Sequence, residues 1–186
     1  MRGQPTLSDA DRPAPPPRKP VRAWTIEDLK PALARVETGR SFIRGKALYG
    51  QVCATCHLFQ GKGGALGPDL TSSSGKYDHA TLLAEIIEPS RVISDQHAAV
   101  VLKLKNGTSV FGREVGGDDD IVNMTVNPLD PEQIVKVNKA DIAERQISPV
   151  SMMPTGLLNT LNEEEVLDLL MYIQSGGKVG HTAFQK

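Results

Sequence analysis

Residues 52–61, VCATCHLFQG, hold the two cysteines of the chain, Cys53 and Cys56, with His57 directly after the second. Three kinds of site use two cysteines at this spacing: a redox-active dithiol, one half of a zinc site, and an anchor for covalently bound haem. The choice between them bears on the fold, because each kind of site occurs in its own structural setting.

The surroundings of the motif favour the haem anchor. A redox dithiol usually lies at the start of a helix that follows a strand, whereas here a helical pattern leads into Cys53. A zinc ion needs a fourth ligand, which His79 or His97 would supply only by coincidence. Two intervening residues let both sulfurs reach the two vinyl groups of one porphyrin, and the adjacent His57 is then carried to the iron. We therefore interpret Cys53 and Cys56 as thioether donors and His57 as an axial ligand, with zinc and redox chemistry as the alternatives.

Composition limits the other function classes. The chain has 186 residues, 39% of them hydrophobic and 23% charged, and a net charge of -1. No apolar run approaches the ~20 residues that span a bilayer, and the balanced charge gives no field that favours nucleic acid. We expect a soluble chain with no nucleic-acid partner and no direct membrane insertion.

Helical patterns flank the motif. Residues 1–23 are rich in proline and basic residues and are predicted to be an extended linker or arm. The domain proper is predicted over residues 24–186. Its helices are expected after a cap at Thr25, over residues 41–52 and 77–90, and at the C-terminal end, where Thr160 and Glu163 are predicted to form a capping box.

Between the helices the hydrophobic period changes from helical to alternating. Residues 97–148 are predicted to form a small antiparallel β-sheet of four strands, with a two-residue hairpin turn at Asn106-Gly107. This insertion separates the cysteine motif from the C-terminal helix.

A six-coordinate haem iron needs a second axial ligand. The candidates are the five methionines, His79, His97 and His181. The segment SPVSMMPTGLL, residues 148–158, places Met152 and Met153 before Pro154, which stiffens the loop that would hold a thioether on iron. Met171 lies inside the predicted last helix and is interpreted as core.

Four motifs in this order resemble a class I cytochrome c: GKALYGQVCATCH, GPDL, MMP and EEVLDLLMYIQS. The resemblance implies a mainly α fold in which the first and last helices cross near Gly45, Tyr49 and Tyr172. It implies that the Pro68 carbonyl accepts a hydrogen bond from His57. It also implies that Met153, which directly precedes proline, is the distal ligand.

The long interval between the motifs narrows the resemblance further. His57 and Met153 are 96 positions apart, a longer interval than a small cytochrome c needs. The additional residues form the predicted sheet, which is inserted between the proximal and distal haem loops. GPDLT, EPSRVI, KNGT and KADIAERQISPVSMMPTGLLNTL together resemble the planctomycete-type haem-binding domain. In that subfamily the domain typically ends a larger exported protein that carries a dehydrogenase-like region.

The expected function is one-electron transfer by one covalently bound haem c per chain, with no enzymatic activity of its own. Its partner would be a redox protein or an upstream dehydrogenase domain. No signal peptide follows Met1, so a periplasmic or otherwise extracytoplasmic location implies that this chain is a fragment. The alternative is a haem protein whose distal site is open or labile and binds gases; no distal histidine and arginine pair is identifiable, which argues against peroxidase chemistry.

Overall fold

The regular secondary structure consists of helices and one β-sheet. It is taken from a computed structural model, which describes residues 18–185. The first part of the predicted arm, residues 1–17, lies outside the described residues. Over the described part the α-helices are α1 (Ile26–Leu29), α2 (Phe42–Val52), α3 (His79–Ile87) and α4 (Glu163–Gln174). With the 3-10 helices included, about 33% of the described residues are helical. The expectation of a mainly α fold is therefore not confirmed, and the architecture combines helices with a sheet.

The helices begin at side-chain caps. Thr25 forms the predicted cap with Asp28, but Pro31 follows and the chain continues as a 3-10 helix. At the other end the capping box joins Asn162 to Glu165. The prediction of Thr160 and Glu163 is therefore wrong by two residues, because Asn162 is an equally good cap directly before the first helical turn.

Helices α2 and α4 cross where the resemblance implied. A Cβ atom added to Gly45 would lie 2.4 Å from the Asp168 carbonyl oxygen and 2.7 Å from Tyr172 Cβ. The rings of Tyr49 and Tyr172 are 5.8 Å apart. Every residue of α4 from Val166 to Ile173 is buried. This helix is thus enclosed on all sides and forms the centre of the helical core.

The strands of the inserted sheet are β1 (Val100–Leu104), β2 (Ser109–Gly117), β3 (Ile121–Thr125), β4 (Ile134–Asn138) and β5 (Ile142–Ile147). The sheet is antiparallel throughout, with strand order β4-β3-β2-β1-β5. The predicted hairpin is present, and Gly107 in its turn has a φ of 87°, a conformation that favours glycine.

Strand β5 was not among the four predicted strands. It pairs with β1 at one edge of the sheet, and its side chains after Ile142 are exposed. An edge strand with polar residues on both faces lacks the alternation that marks a half-buried strand. The pairing of β5 with β1 is long-range, so no local pattern in the sequence predicts this strand.

The sheet is attached to the helical part beside the cysteine motif. Val100, Leu102, Met124 and Val137 form its own small core. A separate cluster of Leu66, Ala99 and Met152, against which Cys56 packs, lies between the two parts. The insertion therefore lies against the motif rather than projecting away from it.

The described end of the arm is held on the first turn of α4 and on the loop that precedes it. Both terminal oxygens of Glu165 accept hydrogen bonds from the Arg18 guanidinium at 2.7 Å. The Val21 N–H donates to the Asn159 carbonyl at 2.7 Å. The domain boundary at residue 24 stays a prediction. Within residues 18–185, no helix has the length and apolar character needed to cross a bilayer.

Candidate functional site

A single turn of chain groups the three residues of the motif. Cys53 is the C-cap of α2, and its carbonyl accepts hydrogen bonds from the N–H groups of Cys56 at 3.1 Å and His57 at 3.0 Å. The following loop folds back over this turn, where Gly64 N–H donates to the Ala54 carbonyl at 2.8 Å. The loop approaches so closely that a Cβ on Gly64 would lie 2.0 Å from the Thr55 carbonyl oxygen.

The His57 imidazole is held in one tautomer. Its Nδ1 lies 2.9 Å from the Pro68 carbonyl oxygen, which accepts, so Nδ1 carries the proton and Nε2 keeps its lone pair. Burial lowers the pKa of His57, and the bond to Pro68 opposes this only in part. The ring is therefore neutral at pH 7, which is the form that ligates a metal.

Gly67 forms a cradle for this ring. A Cβ at Gly67 would lie 2.4 Å from Cε1, 2.7 Å from Nδ1 and 2.9 Å from Nε2 of His57. On the other side of the residue, the Tyr49 hydroxyl donates to the His57 carbonyl at 2.8 Å. Burial, together with Cys53 nearby, raises the pKa of Tyr49, so this hydroxyl keeps its proton. Side chain and backbone of His57 are thus both fixed, as an axial ligand requires.

The cysteines are poor thiolate nucleophiles. Burial, with a smaller effect of Cys56, raises the pKa of Cys53 to about 12, and burial raises the pKa of Cys56 as well. The two are not joined in a disulfide. A redox dithiol needs a lowered thiol pKa, so the environment of Cys53 and Cys56 disfavours that alternative.

The zinc alternative lacks ligands in the part of the chain that the structure describes. No group of three or more histidine, cysteine, aspartate or glutamate residues there could hold a metal ion. His79, one of the two residues considered as a fourth ligand, pairs with Glu37 instead at 2.9 Å. A haem anchor fits better, because it requires the two sulfurs and one free imidazole nitrogen.

The two candidate methionines occupy different surroundings. Met152 is 8% exposed and belongs to the cluster with Leu66 and Ala99 against which Cys56 packs. Met153 is half-buried against the helical core. Its N–H donates to Ser151 Oγ at 3.1 Å. Both methionines therefore lie on a loop that returns to the motif.

Of the remaining candidates for a second axial ligand, Met124, Met171 and His181 lie in other settings, whereas His97 lies within electrostatic reach of His57. Met171 is buried in α4, and Met124 is fully buried in the core of the sheet. His181 accepts a hydrogen bond from Ala183 N–H. The Nδ1 of His97 is buried without a hydrogen-bond partner among the described residues. Burial, Arg113 and His57 together lower the pKa of His97, in that order of effect.

The inserted sheet contacts the motif directly. The Cys56 thiol donates to the Pro128 carbonyl at 3.3 Å, from the turn between β3 and β4. Arg113, on β2, donates to the carbonyls of Ala65 and Leu66 in the loop that leads to Gly67. Sequence reasoning missed Arg113, because one arginine on a strand carries no pattern. Gly67 lay within the GPDL motif, and its close approach to the ring appears only in three dimensions.

Comparison with known proteins identifies the family. No curated protein matches the chain. A family model described as cytochrome c matches residues 42–144, which is more than half of the chain. The match includes Cys53, Cys56 and His57 together with most of the sheet, and it ends before Met153. Proteins of this family bind haem c covalently and are generally electron carriers. The chain belongs to the cytochrome c family.

Proposed function

We propose that this chain transfers single electrons through one covalently bound haem c, with His57 and Met153 as its axial ligands. The observation that carries the proposal is the arrangement of His57, whose Nδ1 donates to the Pro68 carbonyl, so that Nε2 keeps the lone pair that would bind iron. Cys53 and Cys56 would hold the porphyrin through thioether bonds. When bound, haem c supplies an iron that alternates between the ferrous and ferric states and so stores one electron.

The protein contributes rigidity and a dry environment. The Pro68 carbonyl strengthens the imidazole as a donor, and Gly67 and the Tyr49 hydroxyl hold it in place. A thioether from Met153 would favour the reduced form relative to a second imidazole, and burial of the site would disfavour additional charge. Electron exchange then needs little rearrangement of the chain.

The first test is the covalent attachment. We expect protein produced in a host that matures c-type cytochromes to stay red after extraction with acidified acetone, because thioether bonds survive that treatment. The Cys53→Ala/Cys56→Ala double variant should lose its colour completely. Wild-type protein that loses its haem in the same extraction would contradict the proposal, and so would stoichiometric zinc in a colourless preparation.

The second test separates the two methionines. Met153→Ala should abolish the sulfur-to-iron charge-transfer band of the oxidised protein and lower the reduction potential, because the iron loses its thioether ligand. Met152→Ala is the matched control and should retain the band. Met152 lies in the cluster beside Cys56, so loss of the band in that variant alone would reverse the assignment.

The alternative is a haem protein with an open or labile distal site. Arg113 contributes to lowering the pKa of His97 and donates to the carbonyl of Gln96, the neighbour of His97. Arg113 also binds the loop that leads to Pro68, so these contacts do not by themselves supply a distal histidine and arginine pair. Rapid binding of carbon monoxide by the reduced wild-type protein would support an open site, whereas a closed electron carrier should bind it only slowly.

The wider context of the chain is also a proposal. Cytochrome c domains are typically extracytoplasmic, and the motifs shared with the planctomycete-type haem-binding domain suggest an exported protein with a dehydrogenase-like region upstream. That region, or a separate redox protein, would be the electron partner. The full reading frame of the gene tests this, and a native frame that starts at Met1 would contradict it.

A further inference from the structure

Arg113 connects the inserted sheet to two segments of the proposed haem site. Its Nη1 donates to the carbonyl of Ala65 at 3.2 Å and to the carbonyl of Leu66, and its Nη2 donates to the carbonyl of Gln96 at 3.3 Å. The first two carbonyls belong to the loop that leads to Gly67 and Pro68. The third lies one residue before His97. One side chain thus bridges three elements that are distant in sequence.

The loop held by Arg113 carries the contacts that orient His57. Gly67 follows Leu66 directly, lies against the imidazole, and donates its N–H to the Cys56 carbonyl at 2.7 Å. Pro68 supplies the carbonyl that binds His57 Nδ1. A shift of the loop at Leu66 would therefore reach the imidazole within two residues.

The guanidinium is tied to these carbonyls rather than to an acidic side chain. Among the described residues, the cations of the sheet that form ion pairs are Lys103, with Glu144, and Arg145, with Glu114. Arg113 is half-buried, and burial lowers its pKa. A partly desolvated cation needs acceptors of good geometry. The planar fork of an arginine can reach three carbonyls, whereas the single nitrogen of a lysine cannot be placed in the same way.

We infer that Arg113 is a positioning residue for the haem site, through which the inserted sheet fixes the orientation of the His57 imidazole and adds a positive charge near it. The inference rests on the proposed function for its redox consequence. The inserted sheet would thereby influence the orientation of His57 and the reduction potential of the site. The positive charge favours the reduced form of a nearby iron, because that form carries one positive charge less.

Three variants of the holoprotein test this inference. Arg113→Lys keeps the charge and loses the fork, Arg113→Gln loses both, and Arg145→Gln removes one cation of the same sheet that pairs with Glu114. The measurements are the reduction potential, the paramagnetically shifted resonances of His57 and the haem methyl groups, and amide hydrogen exchange at Gly67. Exchange at Leu170, in the buried helix α4, serves as the internal reference.

We expect exchange at Gly67 to become about tenfold faster in both Arg113 variants, since the loop loses charge-assisted hydrogen bonds. The shifted resonances should move in both variants, and the potential should fall in Arg113→Gln. Arg145→Gln should leave all three measurements as in the wild type. A purely structural role would lower stability without moving the resonances of the folded protein.

The inference is overturned if both Arg113 variants keep wild-type resonances and wild-type exchange at Gly67. A wild-type protein without covalent haem would defeat the proposed function separately. In that case exchange at Gly67, which needs no haem, still decides whether Arg113 holds the loop. Unchanged exchange would then reject the inference, and faster exchange would support its positioning part.

Discussion

Replacement of Gly67 by alanine should displace the His57 imidazole and weaken its bond to the haem iron. The added Cβ would lie 2.4–2.9 Å from three ring atoms, closer than nonbonded carbon atoms approach. Either the ring or the loop must shift, and overpacking of this kind typically costs about 1–3 kcal/mol. We expect a changed reduction potential, moved haem methyl resonances and a lower unfolding midpoint in denaturant.

A glycine elsewhere in the chain provides the control. Gly50, in α2, has no atom within 4 Å of the position that a Cβ would take. Gly50→Ala should therefore leave the potential unchanged, and the better helix propensity of alanine should preserve or slightly increase stability. If Gly67→Ala behaves like Gly50→Ala in all three measurements, the imidazole does not depend on the close approach of Gly67.

The sequence was sufficient to predict that the residues of the cysteine motif lie together. Cys53, Cys56 and His57 are neighbours in the chain, and chemistry at such short range follows from spacing alone. The resemblance to class I cytochromes c also implied the bond from His57 to the Pro68 carbonyl, and the structure contains it at 2.9 Å. The crossing of α2 and α4 at Gly45 was implied in the same way and is present.

The contacts that could not be predicted join residues far apart in the chain. Arg113 binds the Leu66 carbonyl across 47 positions, and no periodicity or motif marks such a pair. Strand β5 is an edge strand whose partner, β1, lies about forty residues earlier. Distal ligation by Met153 stays a prediction, since the family match ends at residue 144. Tertiary packing decides features of this kind, and the local sequence contains little information about that packing.

Asp168 is the clearest case of a residue whose role only the fold reveals. In the sequence it is a charged residue within the apolar run of α4, and its side chain is fully buried there. Its Oδ1 accepts a hydrogen bond from the Ser41 N–H at 3.0 Å, and its Oδ2 accepts one from Arg44 Nε at 2.5 Å. The guanidinium of Arg40, itself only 6% exposed, lies 3.7 Å away. The carboxylate thus links the start of α2 to the middle of α4.

Replacement of Asp168 by alanine should destabilise the folded protein by about 3–5 kcal/mol, the usual cost of removing one partner from a buried ion pair. Arg40 would keep a buried charge with Glu164 as its remaining charged partner, at 2.8 Å, and its Nη1 already has no hydrogen-bond partner among the described residues. The free energy of unfolding in denaturant measures the effect. Glu163→Ala, on the same helix, is the control and should change stability little, because Glu163 is exposed and pairs with an exposed Arg35.

A second variant separates the charge of Asp168 from its shape. Asp168→Asn keeps a carbonyl oxygen that can accept the Ser41 N–H but removes the negative charge facing Arg40 and Arg44. If the buried charge dominates, asparagine should destabilise nearly as much as alanine. If the hydrogen bond from the N–H of Ser41, directly before α2, dominates, asparagine should retain most of the stability. Equal stability of Asp168→Ala and the wild type would show that the crossing of α2 and α4 depends on the close contact at Gly45 and not on this ion pair.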